Sequence, residues 1–244
     1  MKLKLIHALV FTVLLIFTAN VFAGDFASLS FIGFSKDGRY LAFEEYGIQD
    51  GSGFPYSNIY FIDTGKNAYA SPMVKVLVEN ESGLQSTART RSAAKAAAKL
   101  RQLGIIRGNT GKLVVSHLLT DQTFDDGSDD KRTNLVKFAE AMDSMHREGD
   151  YELMLTPVKD ASKDCEAYGD EVYRLELKLT DNGADTNKFL QKDTSLPKGR
   201  GCPLSYRIQD VYLYKDLVAV FVGIFTQGFE GPDMRFMTVA GKLK

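Results

Sequence analysis

The chain has 244 residues, 44% of them hydrophobic and 25% charged, with a formal net charge of −1. So many apolar residues, with only six prolines, exclude an intrinsically disordered chain. The near-neutral balance argues against nucleic acid as the main partner.

The first 23 residues have the order of a cleavable secretory signal. Lys2 and Lys4 give a positive start, residues 5–18 are almost wholly apolar, and Val21 and Ala23 place small residues before Gly24. A membrane anchor needs about 20 apolar residues, and this run is shorter. Residues 24–244 are then expected to form a single periplasmic or secreted β-rich domain, with no membrane span after cleavage. No cysteine follows the cleavage point, which speaks against a lipoprotein. The mature balance is 28 positive against 31 negative residues.

Strand patterns dominate the rest. Leu41 and Phe43 alternate with Tyr40 and Ala42, after a turn at Lys36-Asp37-Gly38. Residues 84–103 read as a helix, with Ala93, Ala96, Ala97, Leu100 and Leu103 on one face and Arg91, Lys95 and Lys99 on the other. From Ser82 to Thr120 there is no acidic residue, and Asp121, Asp125, Asp126, Asp129 and Asp130 then crowd together. The basic face suits an anionic surface or plain solvent. The aspartates match a calcium loop only loosely and suit a flexible loop. Residues 134–147 form a second, weaker helix candidate.

Tyr151, Leu153 and Leu155 suggest a short strand. Tyr173, Leu175, Leu177 and Leu179 alternate with Arg174, Glu176, Lys178 and Thr180, the pattern of a strand with one wet face. Residues 217–225 are apolar on both faces, as in a central strand covered twice. Cys165 and Cys202 are an even pair in an oxidising compartment, so a disulfide is expected rather than two buried thiols. The fold class is therefore mainly β: antiparallel meanders with one or two inserted helices.

One internal correspondence organises the meanders. Residues 30–63 shifted by 177 fall on 207–240 without a gap, so Leu41-Ala42-Phe43 meets Val218-Ala219-Val220, Gly51 meets Gly228 and Pro55 meets Pro232. Two blade-like three-stranded units at the two ends of the chain invite a pseudo-symmetric pairing, about a pseudo-twofold axis that would bring their loops together.

The run Phe34-Ser35-Lys36-Asp37-Gly38-Arg39-Tyr40-Leu41-Ala42-Phe43, followed by Asn58-Ile59-Tyr60-Phe61-Ile62-Asp63, resembles one blade repeat of TolB-like β-propellers. That resemblance covers one repeat and implies a hairpin in which Ser and Asp-Gly shape the turn and the apolar triplet is buried. A broader resemblance rests on three motifs, at residues 43–57 (FEEYGIQDGSGFPYS), 201–208 (GCPLSYRI) and 225–233 (FTQGFEGPD). Together they are similar to a family of predicted secreted bacterial proteins of unknown function (DUF 2259). The resemblance implies export and one continuous domain, and carries no activity, cofactor or catalytic residue.

Residues placed for catalysis are few. His117 follows Ser116 within an apparent strand, where neighbours face opposite ways, and His146 ends a polar segment. Nucleophile-elbow, zinc-protease, phosphate-loop and dinucleotide patterns are missing. Hence no catalytic residue, metal set or cofactor is assigned, and the reading leans away from an enzyme. The expected role is a binding or interaction module for an envelope protein or glycan, working through Asp50, Phe54, Tyr56, Phe229, Glu230 and Asp233. The alternative is a carboxylate-based hydrolase of envelope polysaccharide, using Glu44, Glu45, Asp50, Glu230 and Asp233. Against it, Glu44 and Glu45 fall on opposite faces of one strand, and Asp50 suits a turn cap.

Overall fold

A computed structural model of the chain describes residues 24–118, 134–139, 150–161, 165, 171–229 and 231–244. The secretory segment, the aspartate cluster at 121–130, His146 and Glu230 lie outside them.

Twelve described strands form three four-stranded antiparallel sheets. Sheet I is a meander of β1 (Ser28–Phe34), β2 (Tyr40–Ile48), β3 (Pro55–Asp63) and β4 (Ala68–Leu77). The chain then forms helix α1 (Gln85–Gln102) and a short strand, β5 (Lys112–Ser116). A second meander, sheet III, follows: β6 (Asn134–Phe138), β7 (Tyr151–Asp160), β8 (Val172–Asp181) and β9 (Thr186–Lys192). Finally β10 (Pro203–Tyr214), β11 (Leu217–Gln227) and β12 (Pro232–Lys242) join β5 in sheet II, in the order β12-β11-β10-β5.

Burial explains the stacking. Along β11, Val218, Val220, Val222 and Ile224 pack with Leu153, Leu175 and Leu177 of sheet III. The intervening Ala219 and Phe221 pack with Leu41 and Phe43 of sheet I. Sheet II is thus the middle layer, and a strand apolar on both faces is what that position requires. The other face of sheet I carries Ala42, Ile59 and Phe61, covered by Ala96 and Leu100 of α1. The helix buries the stripe Ala88, Ser92, Ala96 and Leu100, an i, i+4 spacing that keeps one face on the sheet. Four layers result: helix, sheet I, sheet II, sheet III.

The 177-residue offset maps β1, β2 and β3 onto β10, β11 and β12. The two meanders do not meet through equivalent faces, as a twofold axis would require. Leu41 and Phe43 face sheet II, whereas their counterparts Val218 and Val220 face sheet III. Ala42 faces the helix, and its counterpart Ala219 faces sheet I. The units therefore stack front to back, each showing the next layer the same side. Apolar residues on both sides of β11 permit this.

The β1–β2 turn is built as its residues predict. The Ser35 hydroxyl donates to Asp37 Oδ1 (2.6 Å), and the amides of Arg39 and Tyr40 donate to Asp37 Oδ1 and Ser35 Oγ. Gly38 takes a φ of 85°, open to glycine without steric cost. Leu41, Ala42 and Phe43 are fully buried.

The second helix candidate is corrected at its start: residues 134–138 are strand β6, paired with β7 from Asn134↔Leu155 to Phe138↔Tyr151. Asn134, Val136 and Phe138 are buried in alternation, so pairing and burial override a weak helical period. Residues 140–149 lie outside the described set.

Cys165 and Cys202 form a disulfide with 5.7 Å between their Cα atoms. It ties the β7–β8 connection of sheet III to the segment entering β10 of sheet II. Closing a loop with a sequence separation of 37 restricts the unfolded chain by about 3–4 kcal/mol. Cys165→Ser should therefore lower urea-unfolding stability by about that amount while leaving the far-ultraviolet circular dichroism spectrum unchanged. A loss below about 1 kcal/mol would show that the bridge constrains little.

Candidate functional site

Strand β4 is an edge of sheet I, β12 an edge of sheet II and β9 an edge of sheet III. Residues from all three, with the β9–β10 connection, enclose a groove of about 1110 Å³. Tyr69, Ser71 and Met73 of β4 form one wall, Arg235 and Met237 of β12 the floor, and Pro197, Arg200 and Gly201 the far side. Glu45, Tyr60 and Thr226 complete it. Tyr69 is 64% exposed and its ring centroid lies 6.0 Å from that of Tyr60, which gives the groove an aromatic wall.

The free edge of β12 is already occupied along most of its length. Met234 N donates to Asp25 O (3.0 Å), Phe236 N to Glu45 Oε2 (3.1 Å) and Ala240 N to Asn67 Oδ1 (2.9 Å). Capped in this way, the edge resists pairing with a further strand. Thr238, between these anchors, is buried with a hydroxyl that has no partner among the described residues, and it lines the groove.

Glu45 is 2% exposed. Its Oε1 accepts from Tyr60 Oη (2.6 Å) and Asn58 Nδ2 (3.1 Å), and its Oε2 takes the Phe236 amide, so one carboxylate joins sheets I and II. Burial, together with this neighbouring carboxylate, pushes the Tyr60 phenol well above its ordinary range and keeps it a donor. Arg235 donates to Asp25 Oδ2 (2.5 Å) and to the Asp25 carbonyl (2.6 Å), and lies over the Tyr56 ring at 5.1 Å. Arg200 is paired with the buried Asp193, whose Oδ2 also accepts from Leu175 N (2.9 Å). Burial is the largest single influence on Arg200 and works against its charge, but hydrogen bonds to Asp193 and Tyr206 and the charges of both partners together outweigh it and hold the guanidinium protonated.

The residues singled out from the sequence are spread across one end of the stack. Tyr56 is buried; its hydroxyl donates to Asp25 Oδ1 (3.3 Å), and burial raises its pKa far above the usual phenol value. Asp233 Oδ1 accepts from Asp25 N (2.9 Å), so Tyr56 and Asp233 converge on Asp25 and through it support Arg235. Phe54 is half-buried in the β2–β3 connection, and Asp50 is exposed there, accepting from Gly51 N (2.8 Å). Phe229, at the β11–β12 turn, is 95% exposed.

Of the described residues in the acidic set, Glu45 alone lines the groove. Glu44 points the opposite way, to Arg89 of the helix, which grips it through Nε (3.1 Å) and Nη2 (2.9 Å). His117 Nδ1 lies 2.8 Å from the Ile208 carbonyl, away from these residues. Among the described residues no three His, Cys, Asp or Glu side chains group as metal ligands. Asp25, Arg235, Asp193 and Arg200 carried no local sequence pattern; the one hint was an arginine between two inward-facing residues, Met234 and Phe236.

Removing the Glu45 carboxylate strands three donors between two sheets. Each unsatisfied buried donor costs about 1–3 kcal/mol, so Glu45→Ala should destabilise by about 3 kcal/mol or more in urea unfolding, and Tyr60→Phe by about 1 kcal/mol. Equal, small losses in the two variants would contradict the bridging role.

Comparison with curated proteins gave no match. Among the described residues no helix is long and apolar enough to cross a membrane. The family described as "Predicted secreted protein (DUF2259)" matches residues 42–242, a span that takes in most of sheet I, all of sheets II and III, and every wall of the groove. A periplasmic or secreted location accords with that description. With the match running over far more than half of its length, this chain belongs to that family of predicted secreted proteins.

Proposed function

We propose that this protein is an extracytoplasmic binding module, and that its groove receives a small ligand or a short segment of an envelope glycan or protein. The observation that carries this reading is the groove itself. Its volume of about 1110 Å³ is slightly above the usual range of ligand sites, and it combines an aromatic wall with a few fixed polar groups. Each of the three motif segments also supplies it with a residue: Glu45, Gly201 and Thr226. The capped edge of β12 favours a ligand held by side chains over an added strand. Glu45 acts in this reading as a positioning group, since both its oxygens are already engaged. Phe229 and Asp50, both exposed, offer contact outside the groove.

The chain contains no tryptophan, so Tyr69→Trp places a lone fluorophore on the groove wall. Titration with fractionated envelope glycans and peptides should give a saturable emission shift with one fraction. Ala68→Arg, at an exposed position lining the groove, should abolish that shift without changing the melting temperature. A shift that survives Ala68→Arg, or no shift with any fraction, would contradict binding in the groove.

A further inference from the structure

The charge of this molecule is unevenly divided. Residues 82–118 contain seven Lys and Arg and no Asp or Glu, while the other residues from Gly24 onward carry 21 positive against 31 negative. All but one of these basic residues lie in the outermost layer, α1 and the connection that follows it; Lys112 begins β5 of sheet II. Only Arg89 turns inward, held by Glu44 and stacked on Tyr46 at 3.8 Å. Arg91, Lys95 and Arg101 are exposed on the outer side of the helix, with Arg107 just beyond it. Among the described residues none of these four makes an ion pair.

Between these basic side chains the outer face carries only Ala94 and Ala98, so it can approach a flat surface closely. An 18-residue helix is about 27 Å long. An exposed apolar residue precedes it, Leu84 at 66%, and another follows in the connection beyond its end, Ile106 at 48%, where the backbone is hydrogen-bonded to β1. No residue of α1 lines the groove, so this face is free to act independently of a ligand there.

We infer that the outer face of α1 docks the protein on an anionic phospholipid surface, with Arg91, Lys95 and Arg101 against the headgroups and Leu84 and Ile106 entering the interface. Charge complementarity selects an anionic partner. Apolar residues flanking a basic helix favour a lipid interface over a soluble polyanion, which would offer them nothing to enter.

The test is co-sedimentation of the exported protein with phosphatidylcholine vesicles, pure or with a third of phosphatidylglycerol. Binding should appear only on the anionic vesicles and fade as salt is raised. Each basic residue near such a surface strengthens attachment by roughly fivefold, so the Arg91→Glu, Lys95→Glu double variant should bind about 25-fold more weakly or worse. Arg91→Gln with Lys95→Gln is the milder companion, should the reversal disturb folding. Leu84→Ser should weaken attachment to vesicles and leave association with soluble polyphosphate unchanged. Absence of binding to anionic vesicles, equal binding to both kinds, wild-type binding by the charge variants, or capture by polyphosphate but not by vesicles would each overturn the assignment.

Discussion

A strand that is apolar on both faces has to be covered twice, and the rest of this structure follows from that demand. Residues Val218 to Ile224 of β11 have no wet side, so sheet II must lie between two other layers. Sheet III covers one face and sheet I the other, and α1 then covers the outer face of sheet I. Twisted sheets packed face to face lie about 10 Å apart and do not end flush along their edges. Where β4, β12 and β9 terminate the three sheets on one side, the mismatch is the groove.

Each interface in the stack also holds a buried carboxylate. Glu44 joins sheet I to the helix through Arg89, Glu45 joins sheet I to β12, and Asp193 joins the end of β9 to Arg200 on the way into β10. Such pairs add little net stability, because desolvation offsets attraction, but they penalise any other register heavily. Apolar contact sets the order of the layers, and the carboxylates set how each layer is placed on the next. Because Glu45, Arg200 and Arg235 line the groove, the groups that align the layers also fix its polar features.

Much of the fold was legible wherever one strand's own pattern decided its burial. The double-sided β11, the alternating β8 and the Ser-Asp-Gly turn follow from local residues, and the 177-residue offset located three strands twice. The edge strands were harder to read. Along β9 four residues from Thr186 to Phe189 are exposed, and β4 is largely exposed, so neither shows an alternation. Residues 134–138 had a weak helical period that pairing with β7 overrides. The groove was illegible for the same reason: β4 lies far along the chain from the β9 and β12 edges that face it, and the Asp25–Arg235 pair spans 210 residues. The sequence did bring out Glu45 and the motif segments around it, though as an acidic cluster rather than as a bridge between sheets.

The proposed binding role rests on layers that open along one side, with aromatic and charged side chains held in place there. Amide chemical-shift mapping with the active envelope fraction addresses that claim most directly. The account predicts that perturbed amides cluster at Gly201, Thr226 and Thr238 of sheet II and its entry and at Ser71 of sheet I, which stacking brings beside them. Perturbations confined to the β2–β3 connection around Asp50 and Phe54, or scattered over the surface, would contradict it.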